Sequence, residues 1–431
     1  MNKTNSILST LKGSDLIRNI SILVSGTTIA QLIPILLQPL LRRYFSPEEF
    51  GAYAVYLSLI GILIVIASMK YELAIILPEK DKTATNILAL AVLINLAFSF
   101  ILLFIIILFK RPVSDIINLP EQYSIYLYFV PLGVFLYSMY QSINYWLIRK
   151  KLFFSISLNK FIRRGTEGSS QIMLMFSKVS PGLVIGDVIG HFANCGSAIT
   201  QALRNDVNLM HVSIIKLKYV FKKYLEYPKY NVIPSFMSAC SYLLPVIFIN
   251  KFFSSEYTGY FDLSKLMLSI PLALIATSIS NVLLQRVSEK YRNNKSFIRE
   301  LLPVISIVAV IGIVEIVVIT FFAVDLFELF FGDLWGFSGR ISRILVWSYA
   351  FNFFVASFSS LFISMNKIKL LSIWQLFYFV SILLLLFFKN YSFIDFLKVY
   401  VIIEIVCFLI IAIMMVIIVA RYEALKRSCK G

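Results

Sequence analysis

Histidine and cysteine are nearly missing from this chain, at two and four residues among 431. His191 and His211 stand apart from any Cys or Glu pattern at ligand spacing, so each reads as a lone polar residue on a helix. Cys195, Cys240, Cys407 and Cys429 show no metal or redox spacing. Three fall in apolar stretches and read as small packing residues, the fourth as a tail thiol. No metal centre and no cofactor is expected. Charge is scarce too, at 15% Asp, Glu, Lys and Arg. No nucleophile–base pattern appears and every turn on one side is short, which argues against an enzyme. No cleavable leader is expected within residues 1–20, which are polar and mildly basic with no small-residue cleavage site.

What is present is apolar. The chain is 59% hydrophobic with a mean hydropathy of +0.83, so its solvent is a lipid bilayer. Successive windows predict an all-α integral membrane protein with about twelve spans. They lie near 17–41, 51–77, 86–109, 123–148, 153–177, 181–204, 231–252, 259–284, 301–325, 341–365, 368–388 and 393–420. The fifth is the most polar. Its text, FFSISLNKFIRRGTEGSSQIMLMF, does not suit a lipid-facing helix.

A net charge of +17 would suit nucleic acid, but its distribution gives another reason for it. With the N-terminus inside, 25 of the 40 Lys and Arg fall in inner segments, nine in outer turns and six within spans. That is the positive-inside asymmetry, and it predicts both termini in the cytoplasm, with membrane lipid and no nucleic acid as partner.

The basic stretch 206–230 divides the spans six and six, predicting an N-lobe over 1–205 and a C-lobe over 231–431. The halves share text. RRYFSPEEFGAY at 42–53 matches NKFFSSEYTGYF at 250–261, with Phe45/Phe253, Ser46/Ser254, Glu48/Glu256 and Gly51/Gly259 identical. LPEK at 77–80 meets VSEK at 287–290, and IRKKL at 148–152 resembles NKIKL at 366–370. Six spans per half preserve orientation, so the expected pseudo-twofold runs along the membrane normal, with a substrate path between the lobes. In the first copy Ser46 can cap the next helix, and Pro47, Glu48 and Glu49 suit its first turn.

The stretch from Thr27 to Pro78 carries this furthest. Thr27, Gln31, Pro34 and Gln38 put a polar face on the first span, and Lys70 and Glu72 stand inside an apolar run. Such residues describe a water-filled path rather than an anchor. AQLIPILLQPLLRRYFSPEEFGAYAVY, then KYELAIILPEKD, then YWLIRKKLF together resemble the oligosaccharide-lipid flippases of bacterial polysaccharide export. Those flippases lie within the multidrug/oligosaccharidyl-lipid/polysaccharide exporter superfamily. The family usually has Arg where this chain has Lys70, which keeps the charge but loses the bidentate fork. The resemblance implies two six-helix bundles in a V, alternating access, and an undecaprenyl-diphosphate-linked oligosaccharide repeat unit as cargo. It further implies the bacterial inner membrane and, as partners, the polymerase and chain-length machinery of the same pathway.

Six cations fall inside predicted spans, each costing roughly 2.5–3.5 kcal/mol at the membrane centre unless paired or hydrated. Lys160, Arg163, Arg164, Glu167 and Gln171 share one stripe of the fifth span. Paired guanidinium donors and a lysine point charge suit a diphosphate. The alternative is a stripe snorkelling into headgroups at the inner mouth. Substrate-binding candidates are therefore Lys70, Arg163, Arg164, Lys160, Lys265 and Gln31. Glu72, Glu167 and Asp262 are candidates for ion coupling or ion pairing. Lys70 and Glu72, two apart on one helix, are not expected to face each other, whereas Asp262 and Lys265 can. Asp395, Lys398 and Glu404 read as peripheral. Rival functions are a cation-coupled small-molecule antiporter of the same fold, which would favour a carboxylate in the first span, and a teichoic-type polymer exporter.

Overall fold

The computed structural model describes residues 26, 29–177 and 181–428, all of whose long elements are helices. The predicted lead 1–16 and the start of the first span lie outside these residues, as do Thr27 and Cys429. In chain order the helices are α1 (29–44), α2 (Pro47–Ala67), α3 (Asp81–Ile117), α4 (Tyr126–Arg149), α5 (Phe153–Phe176), α6 (Gly182–Arg204) and α7 (Ile214–Lys223). They continue as α8 (Glu226–Phe252), α9 (Ser255–Arg292), α10 (Ile298–Phe331), α11 (Gly336–Phe358), α12 (Ser360–Ser364), α13 (Ile368–Leu383) and α14 (Phe393–Ser428). Ten segments among the described residues are long and apolar enough to cross a membrane. The helix α5 is not one of them, in keeping with its polar text.

Two compact units form. One holds the residues up to Ser46 with Val55–Ala239, the other Pro47–Ala54 with Cys240 onward. In the first, α4 packs on α3, α5 and α6. In the second, α11 is the hub for α9, α10 and α14, and its Ile341, Leu345 and Val346 are wholly enclosed. The two copies of the repeated motif both start helices, α2 at Pro47 and α9 at Ser255, with Ser254 Oγ accepting from Tyr257 N. Within the second unit their glycines meet reciprocally. A Cβ on Gly51 would strike the Ser255 carbonyl, and one on Gly259 would strike the Pro47 carbonyl. Small residues on both helices permit this kind of mutual approach.

One helix bends where a predicted span was expected to end, and another predicted span stops short. In α3 the backbone leaves helical geometry at Phe109, with φ −121° and ψ 26°, three residues before Pro112. Proline supplies no N–H and crowds the preceding turn, which bends the helix there. The predicted span 51–77 ends early. Helix α2 stops at Ala67, Met69 and Lys70 take left-handed backbone (φ 49° and 61°), and a short 3₁₀ turn runs from Tyr71 to Ile76. Arg149, at the end of α4, holds the end of that turn by donating to the Ile76 carbonyl at 3.4 Å, and the residues after it by donating to the Glu79 carbonyl at 3.1 Å and Asp81 Oδ1 at 2.9 Å. Lys150 bridges Asp81 and Asp206 at 2.6 and 2.7 Å. Burial lowers its pKa, but the hydrogen bonds to Asp206 and Asp81 outweigh that and hold the ammonium above its ordinary range.

The α5–α6 pair approaches closely because Gly182, Gly186 and Gly190 form one small-residue stripe at i, i+4, i+8. A Cβ on Gly190 would sit 2.8 Å from Glu167 Cβ and 3.0 Å from the Arg163 carbonyl, whereas one on Gly196 meets nothing within 4 Å. Gly190→Leu should therefore push the helices apart and cost about 1–3 kcal/mol. Thermal unfolding in detergent should show a clear fall for Gly190→Leu and little change for Gly196→Leu.

Candidate functional site

The candidate site is built on α5 and α6, with contributions from α2 and α4. Helical spacing brings Arg163, Arg164, Glu167 and Gln171 onto the α6-facing side of α5. Arg164 Nη1 lies 2.8 and 3.1 Å from the two Glu167 oxygens. Arg163 stands 3.9 Å from Glu167 and 3.5 Å from Asp187 Oδ1, and its guanidinium lies 5.3 Å from the Tyr137 ring centre. Gln171 is buried and donates to the Leu183 carbonyl at 3.1 Å.

Asp187 closes the cluster from α6. It accepts from Tyr56 Oη of α2 at 3.3 Å, and His191 Nε2 stands 3.6 Å from its Oδ1. The ring of His191 lies 5.1 Å from that of Tyr137. His191 is thus no isolated polar residue, and the reason is spacing: Asp187, His191 and Asn194 recur at i, i+4, i+7 and share one face. That polar stripe was readable in GDVIGHFANCG, but a search for metal patterns passes over it. Asn194 is 1% exposed, with neither amide atom bonded to protein, and His191 Nδ1 is likewise unpartnered.

The arrangement has a definite electrostatic character. Arg163 and Arg164 face two buried carboxylates, and Lys160 on the same helix adds a third cation, so these five groups sum to a net positive charge when all are ionised. The Arg163 and Arg164 side chains keep 17% and 31% exposure, whereas Asp187 is 1% exposed. The acids lie deeper than the guanidinium groups they hold, and the two arginines keep the greater share of the exposed charge.

Lys70 sits elsewhere in the same unit. Contrary to the helical expectation, its Nζ lies 3.9 Å from Glu72 Oε1, because the left-handed turn replaces the helix that would have separated them. Ser68 Oγ donates to the other Glu72 oxygen at 2.5 Å, and Glu72 is buried. Gln31 is exposed on α1 and Lys160 half-buried on α5. In the second unit, Lys265 is buried on α9, donating to the Tyr242 carbonyl at 2.8 Å, with its Nζ 3.5 Å from the Tyr242 ring centre. Asp262 is half-buried one turn earlier. Lys398 pairs with Asp395 at 2.9 Å, both exposed. Glu404 is not peripheral. It is 5% exposed and accepts from Tyr400 at 2.7 Å and Tyr378 at 3.0 Å, a nest supplied by α13 and by its own preceding turn.

The profile described as "Polysaccharide biosynthesis protein" matches residues 40–339, well over half of the chain. The chain belongs to this polysaccharide biosynthesis family. Among solved structures, an inward-facing multidrug-resistance MATE transporter of the MOP superfamily superposes with a TM-score of 0.72. It shows 14% identity, covering 94% of this chain and 99% of that one. The lipid II flippase MurJ in an inward closed conformation gives 0.69 at 16% identity, covering 95% and 92%. A MOP transporter from Pyrococcus furiosus, described as having a binding pocket of reversed polarity, gives 0.57 at 15% identity, covering 94% and 96%. No curated protein sequence matches the chain. The polysaccharide biosynthesis chain is a multi-pass membrane protein that shares the two-lobe fold of these MOP-superfamily transporters.

Proposed function

We propose that this protein flips an undecaprenyl-diphosphate-linked oligosaccharide repeat unit from the cytoplasmic to the outer leaflet of the bacterial inner membrane, by alternating access. The flipped unit would serve O-antigen, capsule, exopolysaccharide or teichoic-type polymer synthesis, and both termini would face the cytoplasm. The observation that carries this reading is the half-buried pair of guanidinium groups on α5, backed by buried carboxylates, in a chain of a polysaccharide biosynthesis family. Arg163 and Arg164 would hold the diphosphate, each carboxylate yielding part of its hold as the phosphate oxygens arrive. Lys160 and Lys70 would add point charge, Gln31 and Lys265 further polar contacts. The pathway's polymerase and chain-length machinery would be the partners that take over the product.

A second reading, cation-coupled small-molecule antiport, draws on the Asp187–His191 contact, since buried carboxylates beside a histidine suit cation binding. One experiment separates the two. The protein is placed in liposomes whose inner leaflet holds undecaprenyl-diphosphate-linked oligosaccharide bearing a fluorophore quenchable from outside. Flipping should make quenching much faster than in protein-free vesicles. Quenching at the protein-free rate, with a fluorescent cationic drug moved against a proton gradient by the same vesicles, would establish the antiporter instead.

A further inference from the structure

The helix α7 lies in the stretch that reads from sequence as a basic interruption, and the transport reading above makes no use of it. Ser213 caps it, its Oγ accepting from Lys216 N at 3.4 Å. It carries Lys216, Lys218, Lys222 and Lys223 and no acid. One stripe belongs to the protein. Leu217, Val220 and Tyr224 pack into the cluster of Tyr71, Ile87 and Ala91. Tyr71 donates to the Phe221 carbonyl at 3.0 Å and stacks on its ring at 5.7 Å. Asn86 of α3 bonds the His211 carbonyl at 3.1 Å and receives Ser213 N at 3.3 Å.

The other stripe has no protein cover. Ile214 and Ile215 are 72% and 82% exposed, and Met210, just before the helix, is 92% exposed. The four lysines are exposed among them. Apolar side chains bared beside a run of cations are the composition of a helix that lies in an acidic membrane surface. Depth agrees. At about 1.5 Å per residue, α3 runs roughly 42 Å from Asp81 to its bend at Phe109 against a hydrocarbon core of about 30 Å, so its charged first turn at Asp81 and Lys82, and the α7 packed beside it, fit the headgroup layer. Between α3 and α7 is a cavity of about 520 Å³, walled by Leu90, Ile214, Leu217 and Phe221, with Lys218 and Lys222 also lining it.

We infer that α7 and the start of α3 form a binding site for an anionic membrane phospholipid. One acyl chain lies along Leu90 and Leu217, the phosphate meets Lys218 and Lys222, and Ile214 and Ile215 enter the leaflet. Charge complementarity selects an acidic lipid over a zwitterionic one.

The test uses the full-length protein in nanodiscs of phosphatidylcholine, with and without phosphatidylglycerol. Hydrogen exchange of residues 214–223 and native mass spectrometry of lipid adducts are the readouts. Each lysine near an acidic surface is worth roughly fivefold in partition. Wild type should retain phosphatidylglycerol over phosphatidylcholine and slow its α7 exchange when the acidic lipid is present. Lys218→Gln/Lys222→Gln should lose about 25-fold of that preference, with unchanged melting in neutral detergent because both ammonium groups are exposed. Three results would overturn the site: wild type indifferent to phosphatidylglycerol, a double variant that keeps the preference, or inorganic phosphate protecting α7 as well as the lipid does.

Discussion

Arg163→Gln should abolish flipping and also destabilise the protein, and the two losses should separate when Asp187→Asn is added. The guanidinium stands between Asp187 and Glu167 at 3.5 and 3.9 Å. Removing it leaves Asp187, 1% exposed, without its nearby cation and close to a second buried acid. Breaking such a pair from one side costs about 3–5 kcal/mol, with the low end expected because the Arg163 side chain keeps some access to water. Neutralising Asp187 in the same chain removes the stranded charge, so thermal unfolding in detergent should return most of the way to wild type. Flipping should not return, because the cargo contact is still missing. Arg163→Lys should fall between, keeping the charge but not the fork. A doubly substituted protein that is stable and flips at the wild-type rate would show Arg163 to be a packing device rather than a cargo contact.

The cationic half of this site was legible from spacing alone. Once FFSISLNKFIRRGTEGSSQIMLMF is a helix, Arg163, Arg164 and Glu167 must share a face. The acidic half was equally legible in Asp187, His191 and Asn194, yet single polar residues in an apolar span draw less notice than a cluster of cations. The break after α2 is another matter. Ser68, Met69 and Lys70 include neither Gly nor Pro, and local preference continues the helix through them. Two successive left-handed residues cost on the order of 1–2 kcal/mol each, and contacts distant in sequence offset it. Among them are Arg149 on the Glu79 carbonyl and Tyr71 on Phe221, from 70 and 150 residues away. Glu404 shows the same limit. Its burial depends on Tyr378, which the chain brings from another helix. Helix α7 was hidden differently, because its lysines mark a solvated segment before the Leu217, Val220, Tyr224 stripe is noticed.

The charge balance of the α5 cluster leads to the second large effect, a strong response to membrane potential. The proposed cargo carries two negative charges on its diphosphate, and the cluster sets three cations, Lys160, Arg163 and Arg164, against Glu167 and Asp187. Loaded, the site carries about one net negative charge outward; emptied, it returns with about one net positive charge. An inside-negative potential favours both movements. At 100 mV each full charge crossing is worth about 2.3 kcal/mol. A complete cycle therefore gains roughly 4.6 kcal/mol, on the order of a thousandfold in the outer-to-inner ratio of cargo. No obligatory cation exchange is needed. In proteoliposomes with a potassium diffusion potential and no pH or sodium gradient, the cargo should accumulate in the outer leaflet when the inside is negative, and this bias should reverse when the sign is reversed. Arg164→Gln, which makes the empty site neutral and the loaded site doubly negative, should shift voltage sensitivity from the return step to the loaded step. The overall two-charge drive should stay the same. Transport that ignores the potential but follows an imposed proton or sodium gradient would place the coupling at a carboxylate, with Asp187 beside His191 the first residue to replace.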